Sequence, residues 1–481
     1  MEGRRETLLF IFAYATFVAT AGLVLLPQNA SVYALDLGTG RLIENIAMLA
    51  TYLLLSVFGF KHNVRTLSLP WSLTSLAIVF LGHLAFMLES LSLVRITLIP
   101  TVVLHIGNGS SIAVLFTFWA SASYLFDTRR FQLGIFAGSL ISCLIVIATT
   151  ALDTYLISFF VQCGLVIASG ILTFLLLRAA SHRTGGRKGE ETKSSQNPLH
   201  LDALARTFQE SGALKLLAPI LCTCAFAGMY SFSWSMANDG TFATMFYAIG
   251  EAAAMALLFS AAAMPELFSH MNVLVVYRWL FPLACLSTGV ICFVTGTFQL
   301  LLLSVLSAFF NLLLISLTPL CAAEGKKTSN PVVTLYGLAQ SIITAFTTLG
   351  HTLHFASEQN PVYGALIVML LGVAMYIATL LIPSDKTISL DFQYIQSPVS
   401  SQVSDWEASS SAIADEYGLT AREKDVLDLL VMGRDIPSIS NELSISKNTI
   451  KTHVKRIYAK TGISSRQGIV DLVEQFRKSL L

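Results

Sequence analysis

Three lysines at four-residue spacing, Lys447, Lys451 and Lys455, stand near the end of a 481-residue chain, with Asn448 and Thr452 among them. At about 100° per residue these five share one polar helix face. Ile450, Val454 and Ile457 form a separate, narrow apolar stripe that suits a small core. From Ser446 to Arg466 there are six basic residues and no acidic one. A helix so built presents ammonium groups, an amide and hydroxyls outward. That is the chemistry of phosphate contacts and of base edges read in a major groove. Lysines alone would suit an ordinary solvated face, so the elements around them decide.

Those elements are dense in helix signals. Thr420 and Glu423 make a T-x-x-E capping box, in which hydroxyl and carboxylate satisfy each other's end of the helix. The spacing predicts a helix over Ala421–Met432, with Val426, Leu429 and Leu430 on one face and Gly433 ending it. Asp435 suits the cap of a short second helix, with Pro437 in its first turn. Ile436, Ile439 and Leu443 are its apolar side. Ser444-Ile445-Ser446 forms a tight turn, and Ser446 caps a third helix from Lys447 to about Thr461, ended by Gly462. Ser464 and Gln467 make another capping box before a fourth helix to about Phe476. Two helices joined by a tight turn, the second of them basic, form a helix-turn-helix layout.

Residues 419–468 resemble the LuxR-type (GerE/NarL-like) DNA-binding domain. The matching positions are Leu419-Thr420, Arg422-Glu423, Val426-Leu427, Gly433, Ile439, Leu443, Ser446, Thr449-Ile450-Lys451, His453, Tyr458, Lys460 and Ser465-Arg466. The resemblance implies a four-helix domain that binds double-stranded DNA as a homodimer. It implies base or groove contacts from Lys451, Thr452 and Lys455, and phosphate contacts from Ser446, Lys447 and Thr449, with Arg466 also on the DNA side. Thr461 stands where the family commonly has Leu, and Ser440 where it commonly has Ala. His453 points toward the core, which favours packing over base readout.

The rest of the chain has a different solvent. Mean hydropathy is +0.68 and charged residues are 12%, against about 25% in soluble domains. A bilayer-crossing helix needs about 20 apolar residues. Twelve such runs are expected, near 7–27, 42–60, 69–89, 98–125, 131–151, 155–177, 214–236, 241–263, 272–295, 298–320, 331–352 and 361–383. A basic stretch, 178–212, separates the first six from the last six. The expected architecture is therefore all-α: a membrane domain over 1–383, a Ser-rich linker over 384–414, and the helix-turn-helix domain over 415–481. The six-plus-six layout resembles the major facilitator superfamily. The loop Gly59-Phe60-Lys61-His62-Asn63-Val64-Arg65 lacks the acidic and repeated basic residues of that family's motif, so transport is not carried over. Arg4/Arg5, Lys61/Arg65, Arg129/Arg130, the 178–212 stretch and Lys326/Lys327 fall on one set of connections, and only Arg41 and Arg95 on the other. The bias predicts a multi-pass protein of the inner (cytoplasmic) membrane with both termini cytoplasmic.

Polar residues inside apolar runs are costly and are candidates for ligand binding. Chief among them are His105, Asn108, Glu251, Asn311 and Gln340, with helix–helix hydrogen bonding as the alternative role. The run Ile106-Gly107-Asn108-Gly109-Ser110-Ser111 is expected to unwind its helix near the bilayer midplane. The seven cysteines lie in or beside apolar runs without metal-ligand spacing, and suit packing. With no catalytic triad, phosphate-binding loop or metal cluster in the sequence, no enzyme, cofactor or metal is expected. No soluble segment is long enough for a receiver or a ligand-binding domain, so any signal is expected through the bilayer-embedded part. The layout points to a membrane-anchored one-component transcriptional regulator sensing a small molecule. A transporter carrying a regulatory tail, and a tail released by proteolysis, are the alternatives.

Overall fold

The computed structural model describes residues 2–24, 37–90, 93–152, 155–184, 213–236, 241–264, 273–327, 331–357, 359–381, 410, 412–431, 439, 443, 445–463, 468, 469, 472 and 473. The chain divides into two compact units, Met1–Gln396 and Ser397–Leu481, each taken by itself below.

Twelve long helices build the first unit among the described residues. They are α1 (Glu2–Val24), α2 (Leu37–His62), α3 (Leu69–Ser90), α4 (Leu98–Ser121), α5 (Thr128–Ala151), α6 (Tyr155–Thr184), α7 (Ala213–Met236), α8 (Thr241–Ala263), α9 (Val273–Val290), α10 (Thr297–Lys327), α11 (Val332–Ala356) and α12 (Pro361–Leu381). Short 3-10 turns extend α4 and α9. Ten of the twelve are long and apolar enough to cross a bilayer; α9 contributes a shorter apolar stretch, Tyr277–Phe293. Large apolar side chains such as Leu54, Ile99, Phe160, Trp279 and Leu370 are exposed on the outside of this unit. In water that surface would be a liability; against lipid tails it is at home.

The packing has an internal twofold pattern. In the first half α1 packs on α5 and α6, α2 on α4, and α3 on α4 and α6. The second half repeats this six helices later: α7 on α11 and α12, α8 on α10, and α9 on α10 and α12. Across the halves α2 meets α11 and α5 meets α8, contacts that exchange under the same shift of six. Glycines permit the close crossings. A Cβ at Gly109 of α4 would strike the Glu44 carbonyl of α2, and one at Gly250 of α8 would strike the Ser304 carbonyl of α10.

Two expectations need correction. The glycine-rich run of α4 stays helical through Leu98–Ser121, because Gly109 serves the approach of α2 rather than a break. Arg41 lies within α2, and Arg4/Arg5, Lys61 and Arg129/Arg130 likewise fall at the ends of α1, α2 and α5 rather than in connections. In addition, α6 runs on to Thr184 and α10 to Lys327, taking the start of the 178–212 stretch and Lys326/Lys327 into helix. Residues 185–212 of that stretch lie outside the described residues.

The tail unit has its own core. Val426, Leu427, Ile439, Ile450, Ile457, Ile469 and Val473 are buried together. Ile413, placed in the linker by composition, belongs to that core, and 412–416 is helical. Two helices carry the site, α13 (Ala421–Val431) and α14 (Lys447–Thr461), and they pack on each other. Most of the second and fourth helices expected here, with Gly433, Ser440 and Arg466, and residues 384–409 of the linker, lie outside the described residues.

Candidate nucleic-acid interface and membrane cavity

The start of α14 is fixed by Ser446, whose Oγ accepts from the Thr449 amide at 3.2 Å. Gly462, at φ +72°, ends it in the left-handed conformation that glycine adopts without strain. Ile450 and Ile457 face the core. Lys447, Asn448, Thr449, Lys451, Thr452, Lys455 and Arg456 are all exposed. The polar face read from spacing is thus a solvent face, aimed by a buried apolar stripe. Thr452 Oγ1 donates back to the Asn448 carbonyl at 3.0 Å, which fixes the rotamer of the hydroxyl. The first amides of the helix and the three lysines make this end anion-seeking. His453 is half-buried, as its inward placement predicts.

A charged clamp holds α14 against the start of α13. The Thr420 amide donates to Glu423 Oε2 at 2.9 Å, and the Glu423 amide donates to Thr420 Oγ1 at 3.3 Å. Lys460 Nζ donates to the same Oε2 at 2.8 Å and to the Gly418 carbonyl at 2.7 Å. The Lys460 ammonium and the Thr420 amide hold the Glu423 carboxyl down to about 2. Thr461 is buried, and its hydroxyl donates to the Ile457 carbonyl at 2.8 Å. That bond answers the one polar departure from the family pattern seen among the described residues.

The membrane unit encloses a cavity of about 250 Å³. Its walls draw on the later halves of α1, α5 and α7 and the earlier halves of α2 and α8, with the middle of α10 and much of α11. It therefore lies toward the face opposite the N-terminus. At the N-terminal face the halves are bonded: Ser56 Oγ donates to the Thr334 carbonyl at 3.0 Å, Tyr124 Oη to Gly325 at 3.3 Å, and Lys326 Nζ to Phe126 at 2.9 Å.

Three of the five residues singled out in the apolar runs, Glu251, Asn311 and Gln340, stand on the cavity wall. Tyr247, Cys143 and Asn311 line the cavity with the Glu251 carboxyl group. Asn311 Nδ2 donates to Ser307 on its own helix at 3.0 Å. His105 and Asn108 are not on the wall. They sit behind Glu44, with His105 Nδ1 at 2.9 Å and Asn108 Nδ2 at 3.0 Å from Glu44 Oε1. Glu44 and Arg41, which composition alone did not single out, do line the cavity. Their signal was an Arg and a Glu three apart at the head of an apolar run, where charge is easily taken for a helix end.

Residues 417–473 match the family described as bacterial regulatory proteins, luxR family. Two curated relatives, each a probable transcriptional regulatory protein NarL, come from Mycobacterium tuberculosis strains CDC 1551 / Oshkosh and ATCC 25618 / H37Rv. Each is 44% identical over 63 residues, which is 13% of this chain and 28% of the relative. The chain thus spans little more than a quarter of the length of those relatives. Among solved structures, a bacterial homologue of the iron transporter ferroportin, in an outward-facing state, aligns with a TM-score of 0.51 at 15% identity, covering 79% of this chain and 99% of that one. The major facilitator superfamily transporter FucP, in the outward conformation, aligns with a TM-score of 0.46 at 17% identity, covering 78% and 97%. Residues 417–473 are thus similar to the luxR family of DNA-binding domains, and the multi-helix membrane unit shares its fold with the ferroportin homologue.

Proposed function

We propose that the chain is a membrane-anchored one-component transcriptional regulator. The membrane unit binds a small molecule, and the tail binds promoter DNA as a homodimer. The observation that carries this reading is the exposed face of Lys447, Lys451, Thr452 and Lys455 on a capped helix of a luxR-family domain, on the same chain as a bundle with an internal cavity. Lys451, Thr452 and Lys455 read base edges, while Ser446, Lys447, Thr449 and Arg466 hold phosphates. The bias of Lys and Arg toward the helix ends and connections of one face supports a cytoplasmic N-terminus in the inner membrane. An even number of crossings puts the tail on that same side, where DNA is. No catalytic step is required of any residue in this scheme.

The test is a gel-shift with the 397–481 unit, which has a core of its own. Wild type should retard DNA, and binding should weaken steeply with salt, by a log–log slope of about 0.9 per phosphate neutralised. The K451A/K455A double variant should lose retardation at physiological salt. Unchanged binding by that variant would remove α14 as the readout helix.

A transporter with a regulatory tail is the second reading, favoured by the fold shared with the ferroportin homologue. Substrate flux through vesicles holding a tail-deleted chain would support it.

A further inference from the structure

Three acidic or strongly basic side chains line the membrane cavity: Arg41, Glu44 and Glu251. Arg41 and Glu44 stand one turn apart on α2 and interact electrostatically. Glu251 of α8 lines the same cavity, as do Tyr247 and Cys143. The wall thus carries two carboxyl groups against one guanidinium. A carboxyl group away from bulk water is either protonated or paired with a cation, so a cationic occupant that gives Glu251 a partner is favoured there.

The walls beside Glu251 are aromatic. Tyr230 stacks on Phe310 with centroids 4.8 Å apart and planes 10° apart. Tyr247 lies 5.8 Å from Tyr230 and meets Trp234 edge-on at 5.5 Å. Ring faces carry the negative end of the quadrupole and attract cations, ammonium ligands above all. The cavity already shows this preference, since the Arg41 guanidinium lies 5.1 Å from the Trp234 ring centroid. At about 250 Å³ the space falls just under the ~300–1,000 Å³ of drug-sized sites. The occupant is therefore small.

We propose that this cavity takes a small organic monocation, an ammonium joined to an apolar or aromatic group, with its charge toward Glu251 and its body against the Tyr230–Phe310–Tyr247 wall. The proposal rests on the reading of the membrane unit as a ligand-binding sensor and names the class of ligand. Full-length protein in nanodiscs of zwitterionic phosphatidylcholine is dialysed against benzyltrimethylammonium, against its uncharged carbon isostere neopentylbenzene, and against phenylacetate. The cation should bind saturably, and the other two should not compete. E251Q should weaken binding roughly tenfold or more, while unliganded E251Q melts close to wild type.

Equal binding of the isostere or the anion, or no saturable binding of the cation to wild type, overturns the proposal without any variant. DNA retention by the same nanodiscs separates the two readings. A bound cation that leaves retention unchanged upholds the cation site and counts against sensing. Phenylacetate that binds and alters retention does the reverse.

Discussion

Glu423 closes a capping box with Thr420 and accepts a bond from Lys460 on α14, so one carboxylate joins two helices of the tail unit. Its carboxyl is held at about 2, against about 4.3 in an unfolded chain. A lowered folded-state value stabilises above the unfolded value, and the benefit is lost as pH falls toward the folded one. Urea unfolding of the 397–481 unit should therefore show stability falling between about pH 4.5 and 2. In E423Q that slope should flatten, and stability near pH 7 should drop by about 1–3 kcal/mol, the scale of a lost charge-assisted bond. An unchanged pH profile in E423Q would contradict the clamp. The capping box was legible in the sequence because its partners are three residues apart. The Lys460 bond was not, because it spans 37 residues and exists only once α14 has packed on α13.

At the scale of elements, α14 was the most legible part of the molecule. Cap, apolar stripe and terminal glycine all agree, and the helix runs over Lys447–Thr461 as expected. The membrane helices were legible as runs, since lipid demands long apolar segments. Their neighbours were not, because hydropathy does not say which face meets which. That is why Asn108 and His105 read as ligand candidates yet support Glu44, and why Gly109 read as a break. Gly109 instead lets α2 come close, so Gly109→Leu should push α2 and α4 apart. Overpacking of this kind costs about 1–3 kcal/mol, and the full chain in detergent should melt several degrees lower. Gly164→Ala, at a position where a Cβ would meet nothing within 4 Å, should leave melting unchanged. Equal melting of both variants would contradict the close crossing.

The whole molecule combines two solvents in one chain: a bundle whose outer face suits lipid, and a small domain whose outer face suits a polyanion. Composition alone separates the two, because charge and hydropathy change sharply after Pro383. The twofold pairing of six helices with six, and the cavity between them, emerge only from packing. The central claim is that the DNA-binding face and the membrane bundle work on one chain, with the tail on the cytoplasmic side. The most direct test uses closed membrane vesicles of both orientations, each holding the full-length protein and mixed with labelled genomic fragments. Inverted vesicles, with the cytoplasmic face outward, should retain DNA in a salt-sensitive manner, and K451A/K455A should abolish the retention. DNA retained by right-side-out vesicles, or by neither kind, would contradict it.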